Sequence, residues 1–184
     1  MRRRPLLALL VAAALGAAAC GDDGEPESAD RSTPSTTSSS TTSEVDAGAA
    51  AALEVWREYT VVSQEWLNPP NPTDPRIPEF IAASALEDFR AGIAAELAQD
   101  ISTRPGPNGP IEHNPVVVRS GSDEVVIQDC FVDDSVAVNS TTGSTIDAGV
   151  VTRTVEATLV LERSSWRIST VEDVETTSGA AGCD

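Results

Sequence analysis

Few side chains in this chain can move a proton near neutral pH. There is one histidine, His113, in a proline-crowded stretch, and one tyrosine, Tyr59. Carboxylates are plentiful, and several cluster at Asp123, Asp129, Asp133 and Asp134. Asp129 stands inside a hydrophobic alternation with Val125, Ile127 and Phe131, so a strand there could turn its carboxyl inward. A histidine and a carboxylate are the minimum equipment for general acid–base chemistry, which makes His113 and Asp129 the catalytic candidates. Against that, a lone loop histidine is more often a solvated surface residue than a base. An acid with three acidic neighbours more often marks a wet strand end. The expectation is therefore that neither is catalytic. Trp56, Tyr59 and Trp66 could line a pocket mouth, although aromatics at helical spacing more often build core. No nucleophile elbow or phosphate-binding loop is present. With one histidine and no cysteines at zinc spacing, neither a metal site nor a cofactor is expected.

The elements that must position these residues begin well into the chain. Arg2, Arg3 and Arg4 precede an apolar stretch over 5–15, then Gly16-Ala17-Ala18-Ala19-Cys20, then the polar Gly21-Asp22-Asp23. A basic start, a short apolar segment and a small-residue cleavage site make an export signal, because a membrane span needs about 20 apolar residues. Leu15-Gly16-Ala17-Ala18-Ala19-Cys20 resembles the lipobox of bacterial lipoproteins, with Ala17 where Leu or Val is usual. The resemblance implies cleavage between Ala19 and Cys20 and a diacylglyceryl thioether on Cys20. The protein would then sit on the outer face of the cell membrane, anchored through that lipid. The alternative is a secreted chain cut near Ala19, with Cys20 incidental.

Cleavage there removes three arginines and no acid, taking the formal net charge from −17 to −20. Such a chain is repelled by nucleic acid, which is excluded as a partner. With Cys20 assigned to lipid, Cys130 and Cys183 remain, and an even pair in an exported chain reads as a disulfide; the competing reading is two free thiols. Such a bridge would staple a C-terminal tail over 176–182 that has little apolar content of its own. Residues 20–44 form the expected tether, rich in Asp, Glu, Ser, Thr and Pro and unable to bury enough surface to order itself. Residues 1–19 are the signal peptide and 45–184 the domain.

Within the domain, Asp46 can cap a helix over 46–66 whose apolar face is Ala52, Val55, Tyr59, Val62 and Trp66, flanked by Trp56. Asn68-Pro69-Pro70-Asn71-Pro72 stops it. A short helical turn is expected over 78–82. Ser84-Ala85-Leu86-Glu87 has the form of a capping box, opening a helix striped by Leu86, Phe89, Ile93, Leu97 and Ile101. Four prolines and two glycines make 103–115 a loop. From Val116 the period changes to two. The clearest strand is 149–163, with Val151, Val155, Ala157, Leu159 and Leu161 on one face and Thr152, Thr154, Glu156 and Thr158 on the other. A turn at Arg163-Ser164-Ser165 leads to a last short strand, where Trp166 shares a face with Ile168 and should be buried. Helices followed by a strand meander argue an α+β fold with the helices on one sheet face.

Several segments then carry a family resemblance: Val125-Val126-Ile127-Gln128-Asp129-Cys130, the Thr142-Gly143 turn, the strand over 152–162, Trp166-Arg167-Ile168 and the terminal Cys183. Their order resembles the NTF2-like superfamily, in which N-terminal helices pack on a curved antiparallel sheet to form a cone. It looks like small exported lipoproteins of high-GC Gram-positive bacteria with an NTF2-like ectodomain. The superfamily hosts enzymes, ligand binders and interaction modules, so the weakness of the catalytic candidates leads to the expectation of a non-enzymatic envelope module, binding a small apolar ligand in its cone or contacting an envelope protein. Its alternative is a SnoaL-like enzyme of isomerase or cyclase type, using Asp129 or His113. Two or more titratable groups converging in the cone would favour the enzyme, and an aliphatic lining the binder.

Overall fold

The computed structural model describes residues 41–183, with side chains from Ala47 onward. The expected signal peptide, its Ala19–Cys20 cleavage point, the lipidation of Cys20 and most of the tether lie outside the described residues.

Three helices come first: α1 (Thr41–Trp66), α2 (Ile77–Phe80) and α3 (Leu86–Ala98). Seven strands follow: β1 (Ile101–Arg104), β2 (Asn114–Ser120), β3 (Glu124–Asp133), β4 (Val136–Asn139), β5 (Thr145–Asp147), β6 (Val151–Glu162) and β7 (Ser165–Ser178). The architecture is α+β, with helices before antiparallel strands. The strands form two sheets, in the orders β1-β4-β5 and β2-β3-β6-β7, rather than one continuous meander. Bulges insert Val118 into β2 and Ser169 and Val174 into β7, and such insertions bend the strands they interrupt.

The core lies between α1 and the four-stranded sheet. Its buried side chains include Ala52, Trp56 and Trp66 from α1, and Val125, Ile127 and Phe131 from β3. Val155, Ala157 and Leu159 from β6, Trp166 and Ile168 from β7, and Ile77, Phe80, Ile81 and Ile93 from α2, the residue after it and α3 complete it. The alternations correspond to inward faces at Val125, Ile127 and Phe131, at Val155, Ala157 and Leu159 and at Trp166, whereas Leu161 is exposed, Val151 is half-buried and Thr152, expected to face away, is buried. Each fully buried aliphatic or aromatic side chain contributes about 1.5–3 kcal/mol. Arg76 joins α1 to α2 by donating to Glu65 at 2.8 Å and to Asp74 at 2.9 and 3.0 Å. Those side-chain bonds hold the Asp74 carboxyl below its ordinary range.

Several expectations are corrected. Helix α1 begins at Thr41, placing Asp46 inside the helix and the last tether residues within it. Trp56 belongs to the centre of the buried face, not its flank. The capping box does not form: Ala85 is the N-cap of α3, no side chain caps the helix, and the Ala85 N–H donates to the Ala82 carbonyl at 3.0 Å. The stripe of α3 stops short as well. Asp100 takes φ +53°, which ends helical geometry, so Ile101 opens β1 while Leu97 stays 48% exposed. The loop before the sheet narrows to 105–113, because β1 takes Thr103 and Arg104 and β2 takes Asn114 and Pro115. Proline is tolerated in β2 because this is an edge strand.

The last strand is much longer than the expected one, pairing with β6 from Glu162↔Ser165 to Val151↔Ser178. The C-terminal tail is therefore held largely by backbone. Beyond the strand, Thr152 Oγ1 donates to the Gly179 carbonyl at 3.0 Å and accepts from the Ala181 N–H at 2.9 Å. Cys130 and Cys183 form a disulfide with Cα atoms 5.7 Å apart.

Candidate functional site

The loop 105–113 is pinned before it delivers His113. Asp134, buried at the end of the β3 segment, accepts from the Asn108 N–H at 3.1 Å and from Asn108 Nδ2 at 2.8 Å. Gly106 passes so close that a Cβ there would overlap the Asp134 carbonyl and carboxyl group. Gly109, at φ +95°, completes the turn in a conformation that disfavours side chains. Asn114 then pairs opposite Cys130 and Pro115 opposite Asp129, which sets His113 beside the middle of β3.

Asp129 points inward and is 0% exposed, so the solvated strand end expected for it is not what the fold makes. Asp129 lies in the buried layer of Ile127 and Phe131, whereas Asp123, before β3, is exposed and Asp133, at its end, is half-buried. The Asp129 carboxylate gathers three contacts. Trp56 Nε1 donates to Oδ2 at 2.8 Å, and the Asn114 N–H donates to Oδ1 at 2.9 Å. His113 Nδ1 lies 2.7 Å from Oδ2. An ionised carboxylate only accepts, so Nδ1 carries the proton and donates. In the neutral ring the other nitrogen, Nε2, keeps the lone pair, and it has no hydrogen-bond partner among the described residues. The ring packs against Phe131 at a tilt of 47°, with centroids 4.6 Å apart.

His113 stands between two cavities. One, of about 390 Å³, is lined by Trp56, Tyr59, Ile111, His113, Phe131 and Val155 together with several polar groups. The other, of about 630 Å³, is lined by His113, Cys130 and Cys183 among others, so the disulfide forms part of its wall. Tyr59 packs among Trp56, Trp66, Phe80 and Phe89 at centroid distances of 5.3 to 6.4 Å. That burial pushes its phenol up to about 12, so it stays a hydrogen-bond donor throughout the physiological range. Glu96 of α3, Asp133, Arg104 and Arg153 also line the first cavity. Burial raises the Glu96 carboxyl above its ordinary value.

The structure thus brings together Trp56, Tyr59, His113 and Asp129 from the sequence candidates. Trp66 lies in the core behind them, and Trp166, 8% exposed, lies in the core away from the site. Glu96 and Arg104 were not singled out from sequence, since each occupied an unremarked position on what looked like a helix or a loop. Among the described residues, no group of three or more His, Cys, Asp or Glu side chains is placed to hold a metal ion. No helix among them is long and apolar enough to cross a membrane.

No family model matches the chain, and no curated protein matches it. Solved structures do. The intermembrane space region of the chloroplast protein ARC6 superposes with a TM-score of 0.51 at 12% identity, over 68% of this chain and 95% of that one. The Kfla4162 protein from Kribbella flavida gives a TM-score of 0.49 at 16% identity, over 72% of this chain and 94% of that one. At 12% identity the likeness to the ARC6 region shows a shared fold alone.

Proposed function

We propose that residues 45–184 are an NTF2-like cone, carried on the outer face of the cell membrane by lipid on Cys20, whose cavity beside His113 binds a small molecule. The observation that carries this reading is the aimed imidazole. Trp56, Asn114 and His113 all donate to a fully buried Asp129, which costs folding free energy unless every contact is kept. The result is a Nε2 acceptor of fixed direction at a cavity with apolar walls, the usual form of a ligand pocket: mostly apolar, with a few placed polar groups. A small amphipathic ligand fits this better than an envelope protein, because the unpartnered polar atoms converge in a concavity. It also fits better than a wholly apolar ligand, which would leave Nε2 unpaired.

His113 is the only histidine, so its imidazole gives a single set of ring signals in proton–nitrogen correlation spectra. A fragment screen read on those signals tests the pocket. Ligands of the cavity shift the ring resonances, and the shifts disappear in Asp129→Asn. A screen in which every binder leaves the ring signals in place removes the reading. The anchor is tested separately by Cys20→Ala, which should move the protein out of the membrane fraction.

A second reading, a SnoaL-like enzyme of isomerase or cyclase type, is favoured by one specific observation. The Asp129 carboxylate fixes the tautomer that makes Nε2 a base, and the Tyr59 phenol supplies a neutral donor to the same cavity. Such an enzyme would exchange the acidic carbon-bound protons of a β,γ-unsaturated ketone with deuterium from solvent, and His113→Ala would abolish the exchange. Binding without exchange leaves the non-enzymatic module as the function.

A further inference from the structure

The charged groups around the first cavity divide into those already paired and those left over. Arg153 is spoken for: its Nε and Nη2 donate to Asp173 at 2.7 to 3.0 Å, and its Nη1 lies 3.6 Å from Asp133. Asp133 also accepts from Ser135 through both the backbone N–H and the hydroxyl. Two lining charges remain, Glu96 on α3 and Arg104 at the end of β1. Neither forms an ion pair with any described residue, including the other. Glu96 Oε2 is shut away from solvent with no hydrogen-bond partner among the described protein atoms. A carboxylate with one oxygen in that condition is costly to keep ionised, and a cation approaching the carboxylate from the cavity lowers that cost.

We propose that this cavity takes a small zwitterion bearing an apolar substituent, with its ammonium on Glu96, its carboxylate on Arg104 and its apolar part against Trp56, Tyr59 and Phe131. The assignment rests on the pocket reading above and deepens it. Opposite unpaired charges in one cavity that do not reach each other are complementary to a ligand carrying both signs at separated positions. Guanidinium suits a carboxylate because its N–H groups match the two oxygens. Aromatic faces add attraction for the ammonium end as well as area for the apolar part.

The experiment compares three probes that share a phenyl ring and differ only in charge: L-phenylalanine, 3-phenylpropionate and phenethylamine, titrated calorimetrically into the full chain with the disulfide intact. L-phenylalanine should bind at least about tenfold more tightly than either single-charge probe, the size of one good charged contact. Glu96→Gln should bring L-phenylalanine down to the level of 3-phenylpropionate while leaving 3-phenylpropionate unchanged. Arg104→Gln should bring it down to the level of phenethylamine. Equal affinity for the three probes, or L-phenylalanine binding indifferent to both variants, overturns the zwitterion assignment. If one of the single-charge probes wins and His113→Ala weakens it, the assignment falls and the pocket reading stands. If none binds up to about 10 mM, the assignment also falls, and the pocket reading is decided on its own by the His113 fragment screen.

Discussion

Trp56 and Asp129, 73 residues apart in the chain, meet through a 2.8 Å hydrogen bond from the indole Nε1 to the carboxylate Oδ2. The bond ties the first helix to the middle of the main sheet at the point where the sheet carries its one fully buried charged group. It also occupies the carboxylate oxygen that orients His113, so packing of the helix and direction of the imidazole are one arrangement.

Asp129→Asn breaks that arrangement. An amide offers one oxygen in place of two, and its NH2 must face either the Asn114 N–H or the His113 Nδ1–H, donor against donor. The variant should lose about 2–4 kcal/mol in chemical denaturation. Its histidine should move toward the Nε2–H tautomer in nitrogen spectra of the imidazole. An unchanged tautomer would mean that something other than Asp129 orients the ring.

Tyr59 is the only tyrosine, so phenolate absorbance reports on it alone. Native protein should show its midpoint near the value of about 12, while protein unfolded in urea should titrate near 10. The folded state thus keeps the proton to higher pH than the unfolded chain. The stability linked to the neutral phenol is complete below about 10 and is lost as pH climbs toward about 12. A native midpoint near 10 would place the hydroxyl in open water.

Glu96→Gln tests the cost of the half-buried carboxyl in the unliganded domain. Because burial raises the folded-state value, the folded domain binds the proton more readily than the unfolded chain, and stability falls as pH rises through that raised value. The amide removes this loss. The variant should melt at a higher temperature than the parent at pH 7 and at nearly the same temperature near pH 4. Equal melting at both would show that the carboxyl is well solvated.

Gly106→Ala adds a Cβ that overlaps the Asp134 backbone, so the loop 105–113 must shift or Asp134 must yield. Stability should fall by about 1–3 kcal/mol, the usual cost of overpacking. The His113 ring signals should move as well, although residue 106 does not touch the imidazole. Control substitution at Gly92, where a Cβ meets nothing within 4 Å, should leave those signals in place.

How much of this was legible in the sequence depends on the range of the interaction involved. The strand period placed Val155, Ala157 and Leu159 on one face and Trp166 with Ile168, since alternation is local and its reward, burial on one side, is read directly from residue type. The same alternation put Asp129 on the inner face. What hid its role was three acidic neighbours, which favour a wet environment, and the distance of its partners. Trp56, His113 and Asn114 reach it only through the β2–β3 register and the packing of α1, which no local pattern encodes. The stripe running on through Leu97 and Ile101 misled for a related reason. Hydrophobic spacing cannot report that Asp100 leaves helical geometry or that Ile101 finds a partner in Asn139 of β4. The serine of the Ser84–Glu87 pattern likewise had a helical capping option that the fold did not use.

The four-stranded sheet ends in two open edges, and their side chains govern what happens when copies of the protein crowd together. Along β7, Glu172, Asp173 and Glu175 are all exposed. Two copies aligning these edges antiparallel would bring carboxylates against carboxylates before many backbone bonds could form. Along β2, Pro115 supplies no N–H and the irregularity at Val117/Arg119 breaks the spacing of the rest, so a neighbouring strand finds no regular ladder to extend. Where copies of the domain crowd together, these two edges therefore oppose strand-to-strand pairing between neighbours.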